Sequence, residues 1–215
     1  MRYDDHHLAG FVFASDQRVA RDAFLVSPSI TFKCPISVRG WEEFELVSPK
    51  PLLDEEEGRE PPYLYKLVCR ITGSQFLMLA RGRKIVDYLW ENDLRTIFGA
   101  QLRRVSIKVD ELVKLIASSP DRYVLSTVYA RVPAFGESLR AVSFYGDDIA
   151  EAELFRDNIR LLNCYTCGVR DVVGGAEIVR LGTDGYVYFN FTGLSSIRKV
   201  DKVLLFVIEN DLMYG

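Results

Sequence analysis

Cys164 and Cys167, in the run Cys164-Tyr165-Thr166-Cys167, have the spacing that comes nearest to a recognised chemistry. Two thiolates so placed serve a zinc knuckle or a dithiol redox pair. A structural zinc site needs further ligands. Cys34 and Cys69 lie in stretches whose alternation puts each on an apolar strand face, and the only histidines, His6 and His7, stand beside the N-terminus. A redox motif should open a helix after a strand, but Gly168 follows here. Buried or half-buried free thiols are expected, with no metal and no cofactor.

Carboxylates offer a second chemistry. Asp147 and Asp148 follow Gly146 where a strand gives way to a helix. Paired carboxylates at such an edge can hold Mg²⁺ for phosphodiester cleavage, so a metal-dependent phosphodiesterase or nuclease using Asp147 or Asp148 is the alternative reading. The competing account is structural: Asp148 and Glu151 have the spacing of an N-terminal cap. Glu177-Ile178-Val179-Arg180 lacks the lysine that a common nuclease pattern supplies two residues on. A serine or cysteine nucleophile would have to recruit His6 or His7 from the terminal tail. Gly174-Gly175 lacks the glycine–lysine spacing of a phosphate loop and reads as a turn.

Basic residues give a third signal. Residues 81, 83, 84, 95, 103, 104 and 108 are basic, against acidic 87, 91 and 93, in a chain of net charge −3. Arg83 and Lys84 open a helix, where the macrodipole disfavours cations. Arg104 and Lys108 share the solvent face of an expected strand. Arg83, Lys84, Arg104 and Lys108 are therefore the candidate contacts to nucleic acid or another anion. Pairing with Asp87 and Glu91 at helical spacing is the plainer account.

The elements that must position these groups follow from periodicity. Ile30, Phe32, Cys34 and Ile36 alternate, and Pro35 marks an edge or bulge. Residues 49–62 carry four prolines and an acidic run, so they form an exposed loop. Tyr63–Ala80 is a hairpin across Gly73-Ser74, pairing Thr72 with Gln75, Ile71 with Phe76 and Cys69 with Met78. Arg83–Phe98 is a helix whose apolar stripe runs through Ile85, Val86, Leu89, Trp90, Leu94, Ile97 and Phe98, stopped by Gly99. Leu102–Val109 alternates as a strand, and Asp110 caps a short helix.

The second half continues the mixture. Strands at Arg122–Val132 and Leu139–Tyr145 flank a loop at residues 134–137, and a helix covers Ile149–Arg160. A hairpin joins Ala176–Leu181 to Tyr186–Phe191, and a helix near Ser195–Asp211 turns Ile197, Val200, Leu204, Val207 and Ile208 inward. If Val187, Phe189 and Phe191 are core, Tyr186, Tyr188 and Asn190 face away from them, leaving tyrosines for stacking or for another protein; packing under a neighbouring helix is the plainer account.

These patterns predict an α+β fold of antiparallel-rich sheets with about four helices. Two lobes are expected, packed as one unit: a β-rich lobe over 1–118 containing the acidic loop 49–62, and an α+β lobe over 119–215. The N-terminus lacks the apolar core of a signal peptide, and no apolar run reaches the ~20 residues of a spanning helix. A cytoplasmic protein with no membrane partner is expected. The functional expectation is a non-catalytic binding or regulatory protein, a subunit of a larger assembly with another protein as partner and DNA or RNA as the non-protein partner. A bacterial or phage accessory role, defence included, goes with that expectation.

Overall fold

Gly73 fixes the register of the hairpin at the centre of the N-terminal unit. Its φ of 61° lies in the left-handed region that glycine enters without penalty. The turn joins β4 (Tyr63–Thr72) to β5 (Gln75–Ala80). Thr72 pairs with Gln75, Ile71 with Phe76 and Cys69 with Met78, as the sequence predicts. The structure, a computed structural model, describes residues 6–119, 122–133, 141–173 and 177–214. Residues 134–137, Leu139, Arg140 and the Gly174-Gly175 turn lie outside them, as does the side chain of His6.

The chain divides into two compact units, one running to Val105 and one spanning Ser106–Tyr214. Both combine antiparallel strands with helices, so the fold is α+β.

In the first unit β1 (His6–Ala14), β2 (Ile30–Pro35) and β3 (Trp41–Ser48) join the hairpin in the order β2-β3-β4-β5-β1. A two-residue strand, β6 (Arg103–Arg104), adds to β1. The short α1 (Arg21–Phe24) and a helical run cover the face bearing Phe13 and Phe76. That run comprises α2 (Arg83–Leu89), a π-turn at Trp90–Leu94 and α3 (Arg95–Phe98). The π-turn is what a single amphipathic helix fails to foresee. Leu89 and Leu94 are five positions apart and both fully buried, and the extra residue per turn puts them on one side. Trp90 then stacks on Phe13 at 5.3 Å. Gly99 ends the run at a φ of 68°.

Two sequence expectations fail here. The register of β2 on β3 shifts between Phe32 and Cys34. The skipped residue, Lys33, reverses the alternation, so Phe32 stays half-buried while Cys34 is exposed. Leu102–Val109 is not one strand. It breaks at Val105, whose N–H donates to the Val12 carbonyl at 2.9 Å.

In the second unit β7 (Ser106–Ile107) pairs with β13 (Met213–Tyr214). The main sheet runs β12 (Tyr186–Phe191), β11 (Ile178–Gly182), β10 (Asn163–Asp171), β8 (Tyr123–Arg131), β9 (Val142–Tyr145). One face is covered by α4 (Val109–Ser118), α5 (Glu153–Asn158) and α6 (Leu194–Glu209). Asp110 of α4 meets Cys164, Phe155 of α5 meets Phe144, and Phe206 of α6 meets Tyr123. Ile208 is exposed rather than inward-facing.

The β8–β10 ladder carries two irregularities. Its register shifts between Cys164 and Thr166, where Tyr165 is the extra residue. It shifts again between Gly168 and Val169, where Ser126 is the extra residue on β8. A bulge reverses the alternation beyond it. Cys164 and Cys167 therefore both face the helices and are buried, while Tyr165 and Thr166 are both half-exposed.

Candidate functional site

Each of the four basic residues singled out by the sequence faces a carboxylate. Asp87 takes Arg83 at 3.2 Å on one oxygen and Arg104 at 2.5 Å on the other. Lys84 meets Asp54 at 2.6 Å, and Lys108 meets Glu111 at 3.7 Å. Neighbouring cations follow suit: Arg81 lies on Glu55 and Arg103 on Asp16. The guanidinium of Arg104 also sits 3.9 Å from the Phe11 ring centroid and 5.4 Å from that of Trp90. Arg104 is half-buried against those rings, and its Nε has no acceptor among the described residues. Arg83, Lys84 and Arg104 belong to the first unit, whereas Lys108 belongs to the second and immediately precedes α4. The structure gathers the first three around Asp87 and Asp54.

The loop at 49–62 is pinned rather than merely solvated. Leu52 is buried, and its N–H donates to the Tyr65 hydroxyl at 2.7 Å. Tyr65 in turn donates to Glu56, and Tyr63 to the Arg59 carbonyl. Burial, followed by Glu56, pushes the Tyr65 phenol up to about 12. The loop and α2 enclose a cleft of about 380 Å³ lined by Lys50, Asp54, Glu57, Tyr88 and Glu91. The Lys50 ammonium already occupies the Tyr88 face, 5.1 Å from its centroid.

Asp148 caps the turn that follows it. Its carboxylate accepts the Ala150 N–H at 3.1 Å and starts a 3₁₀ turn at Ile149–Glu151, ahead of α5. The carbonyl of Asp147 accepts from Arg170 at 2.7 Å, and its side chain is exposed. The expected single helix over Ile149–Arg160 is thus a 3₁₀ turn, α5 and a second 3₁₀ turn at Ile159–Leu161. Among the described residues no group of three or more His, Cys, Asp or Glu is placed to hold a metal ion.

The CxxC thiols are buried and free. Burial, with smaller contributions from Asp110, pushes the Cys164 thiol up to about 12. Burial likewise raises Cys167, with Cys164 adding to it. A thiolate is the reactive form, and both sites oppose it.

The face of the second sheet opposite α4, α5 and α6 carries what sequence reasoning only half found. Cross-strand partners share a face, so the register puts Tyr145 beside Thr127, Tyr129 beside Ser143 and Thr166, and Arg180 beside Gly168 and Tyr188. Tyr165, bulged from β10, turns to the same side, its ring 6.1 Å from that of Tyr129. Tyr145 is 74% exposed and Tyr129 45%. Arg131 lies 5.3 Å over Tyr165, and Arg180 lies 5.5 Å over Tyr188, whose ring stacks on Tyr186 at 6.4 Å. Neither Arg131 nor Arg180 has a carboxylate partner among the described residues, and both are exposed. Tyr186 and Tyr188 are visible in sequence as an alternating pair. Tyr129, Tyr145 and Tyr165 are not, because only the strand order brings them together.

Gly168 sits at the middle of this face. A Cβ there would lie 2.3 Å from Thr127 Oγ1 and 2.8 Å from Ile178 Cγ2. Glycine leaves the space over β10 to those two side chains.

Among the described residues no helix is long and apolar enough to cross a membrane. No protein-family model matches the chain, and a search of the curated proteins finds no match either.

Proposed function

We propose that this is a non-catalytic binding protein that works as a subunit of a larger, cytoplasmic assembly, with nucleic acid as its non-protein partner. The observation that carries this reading is the pairing of Arg131 and Arg180 with tyrosine rings instead of carboxylates on an exposed sheet face. A guanidinium on a ring keeps its charge and its donors for a phosphate. Arg83, Lys84, Arg104 and Lys108 spend part of theirs on Asp87, Asp54 and Glu111. In this reading Arg131 and Arg180 are the principal phosphate contacts and those four are secondary.

Binding of labelled DNA and RNA oligonucleotides, followed by anisotropy across a salt series, tests the proposal. Affinity should fall with salt, and the Arg131→Gln, Arg180→Gln double variant should weaken it more than the Arg83→Gln, Lys84→Gln pair. The oligonucleotides should stay intact in Mg²⁺ or Mn²⁺. Divalent-dependent cleavage that disappears in Asp147→Asn or Asp148→Asn, without a change in melting temperature, would replace the binding reading with the phosphodiesterase one.

A further inference from the structure

We infer that the partner of this sheet face is single-stranded nucleic acid, held by stacking of unpaired bases on Tyr129 and Tyr145. The inference rests on the binding reading above and narrows it. Tyr145, Tyr129 and Tyr165 come from three adjacent strands, β9, β8 and β10. The Tyr129 and Tyr165 rings are 6.1 Å apart, and Tyr145, which faces Thr127, is the diagonal neighbour of Tyr129, a separation of about 7–8 Å, so the three form a short oblique row that the bases of one extended strand can follow. A base offers its π-face to a ring only when no neighbouring base covers that face. In a duplex every interior base is covered on both sides, so a row of tyrosines reads unpaired strands and passes over paired ones.

The remaining groups complete the chemistry. Arg131 at one end of the tyrosine row and Arg180 two strands across from Tyr129 are placed to take backbone phosphates. The ladder that carries the rings is anchored from behind, since Asp110 fixes β10 at Cys164, and Lys202 reaches Asp171 at 3.5 Å. The β10 backbone that carries Tyr165 is thus set before a ligand arrives, which lowers the ordering cost of binding. No base-specific donor or acceptor array is needed, so recognition is sequence-tolerant. DNA and RNA share the bases and phosphates on which it depends.

The test uses the full chain, a fluorescein-labelled single strand of about 15 nucleotides as DNA and as RNA, and the matching duplexes. Single strands of both kinds should bind at least about tenfold more tightly than their duplexes. Tyr129→Ala and Tyr145→Ala should each weaken single-strand binding by about fivefold or more, the lower end of base–ring stacking. Duplex binding should hardly change. Tyr145 is 74% exposed, so Tyr145→Ala keeps the test open if Tyr129→Ala misfolds. Arg131→Gln and Arg180→Gln should each make the log–log salt slope shallower by about 0.7.

Equal affinity for single strand and duplex, or single-strand binding untouched by Tyr145→Ala, would overturn the inference and leave nucleic-acid binding in place. So would equally tight binding of poly-glutamate, which has the charge but no bases. Absence of binding to every oligonucleotide at low salt would remove the functional reading itself.

Discussion

The carboxylate of Asp110, at the start of α4, accepts the backbone N–H of Cys164 at 2.6 Å. It does not cap its own helix: Lys108 stands at the cap position with no side-chain hydrogen bond there. Asp110 is spent instead on β10, beside the Tyr165 bulge, where a ladder bond is interrupted and a donor needs an acceptor. Asp110→Ala should cost about 1–3 kcal/mol, the range for stranding a buried partner. Asp110→Asn keeps an acceptor oxygen and should cost less. Urea unfolding of the two variants gives the comparison.

The cysteines should separate into one fast and three slow. Cys34 is exposed, whereas Cys69, Cys164 and Cys167 are buried. Burial raises the Cys69 thiol, with Glu42 adding to it. Under native conditions a thiol reagent should modify one site per chain promptly, and Cys34→Ser should abolish that phase. The other three should react only on unfolding. A fast phase surviving in Cys34→Ser would contradict the placement of the Cys164 and Cys167 side chains.

Acid should destabilise the second unit through Glu177. Burial alone would raise this carboxyl, but Lys199 at 2.9 Å, together with Thr192 and Ser196, outweighs it and holds the group below the ordinary range. A carboxyl with a lowered folded pKa contributes stability that is fully present above its unfolded value, about 4.3 for glutamate. That contribution is lost as pH falls through the folded value. Between neutrality and pH about 3 the wild type should therefore lose more stability than Glu177→Gln. Parallel melting curves in the two buffers decide it.

Gly10→Ala should be among the most damaging small changes available. A Cβ at Gly10 would stand 1.8 Å from the carbonyl oxygen of Met78, and a backbone atom in a ladder cannot swing away. Gly10 pairs with Leu79 in the β1–β5 ladder. The expected cost is about 3 kcal/mol or more. Stability close to wild type would show that β1 approaches β5 less closely than described.

Local chemistry decides what is legible in advance. Gly73 and its flanking alternation specify the full register of the Tyr63–Ala80 hairpin, because a tight turn leaves no other pairing. The helix at 83–98 is legible in extent and stop, but not in its π-turn, which adds a residue without disturbing the apolar composition. Pro35 does mark β2 as an edge strand with a bulge, but it does not say that Lys33 is the residue skipped, so the exposure of Cys34 escapes a sequence reading. The basic segment looks unbalanced when only sequence neighbours are counted. Asp54, Glu55 and Asp16, which meet Lys84, Arg81 and Arg103, come from distant stretches. The tyrosine face is half legible for the same reason. Tyr186 and Tyr188 share one strand, whereas Tyr129, Tyr145 and Tyr165 depend on which strands lie side by side.

The paired bulges at Tyr165 and Ser126 divide β8 and β10 into segments that present opposite sides. Because one extra residue stands on each strand, the second register shift undoes the first, and the two strands leave the ladder aligned as they entered it. On each strand the alternation reverses once, at its own bulge. Tyr123 and Tyr129 are an even number of positions apart on β8, and a straight strand would turn both the same way. Instead Tyr123 lies buried under α6, its hydroxyl donating to the Lys202 carbonyl at 3.2 Å, while Tyr129 looks outward. If Ser126 and Tyr165 were paired regularly instead of bulged, the ends of the ladder would keep their register, yet Tyr129 would swing into the interior and Val128 would come to the surface. The outward aromatic surface is thus encoded as much by two surplus residues as by the tyrosines themselves.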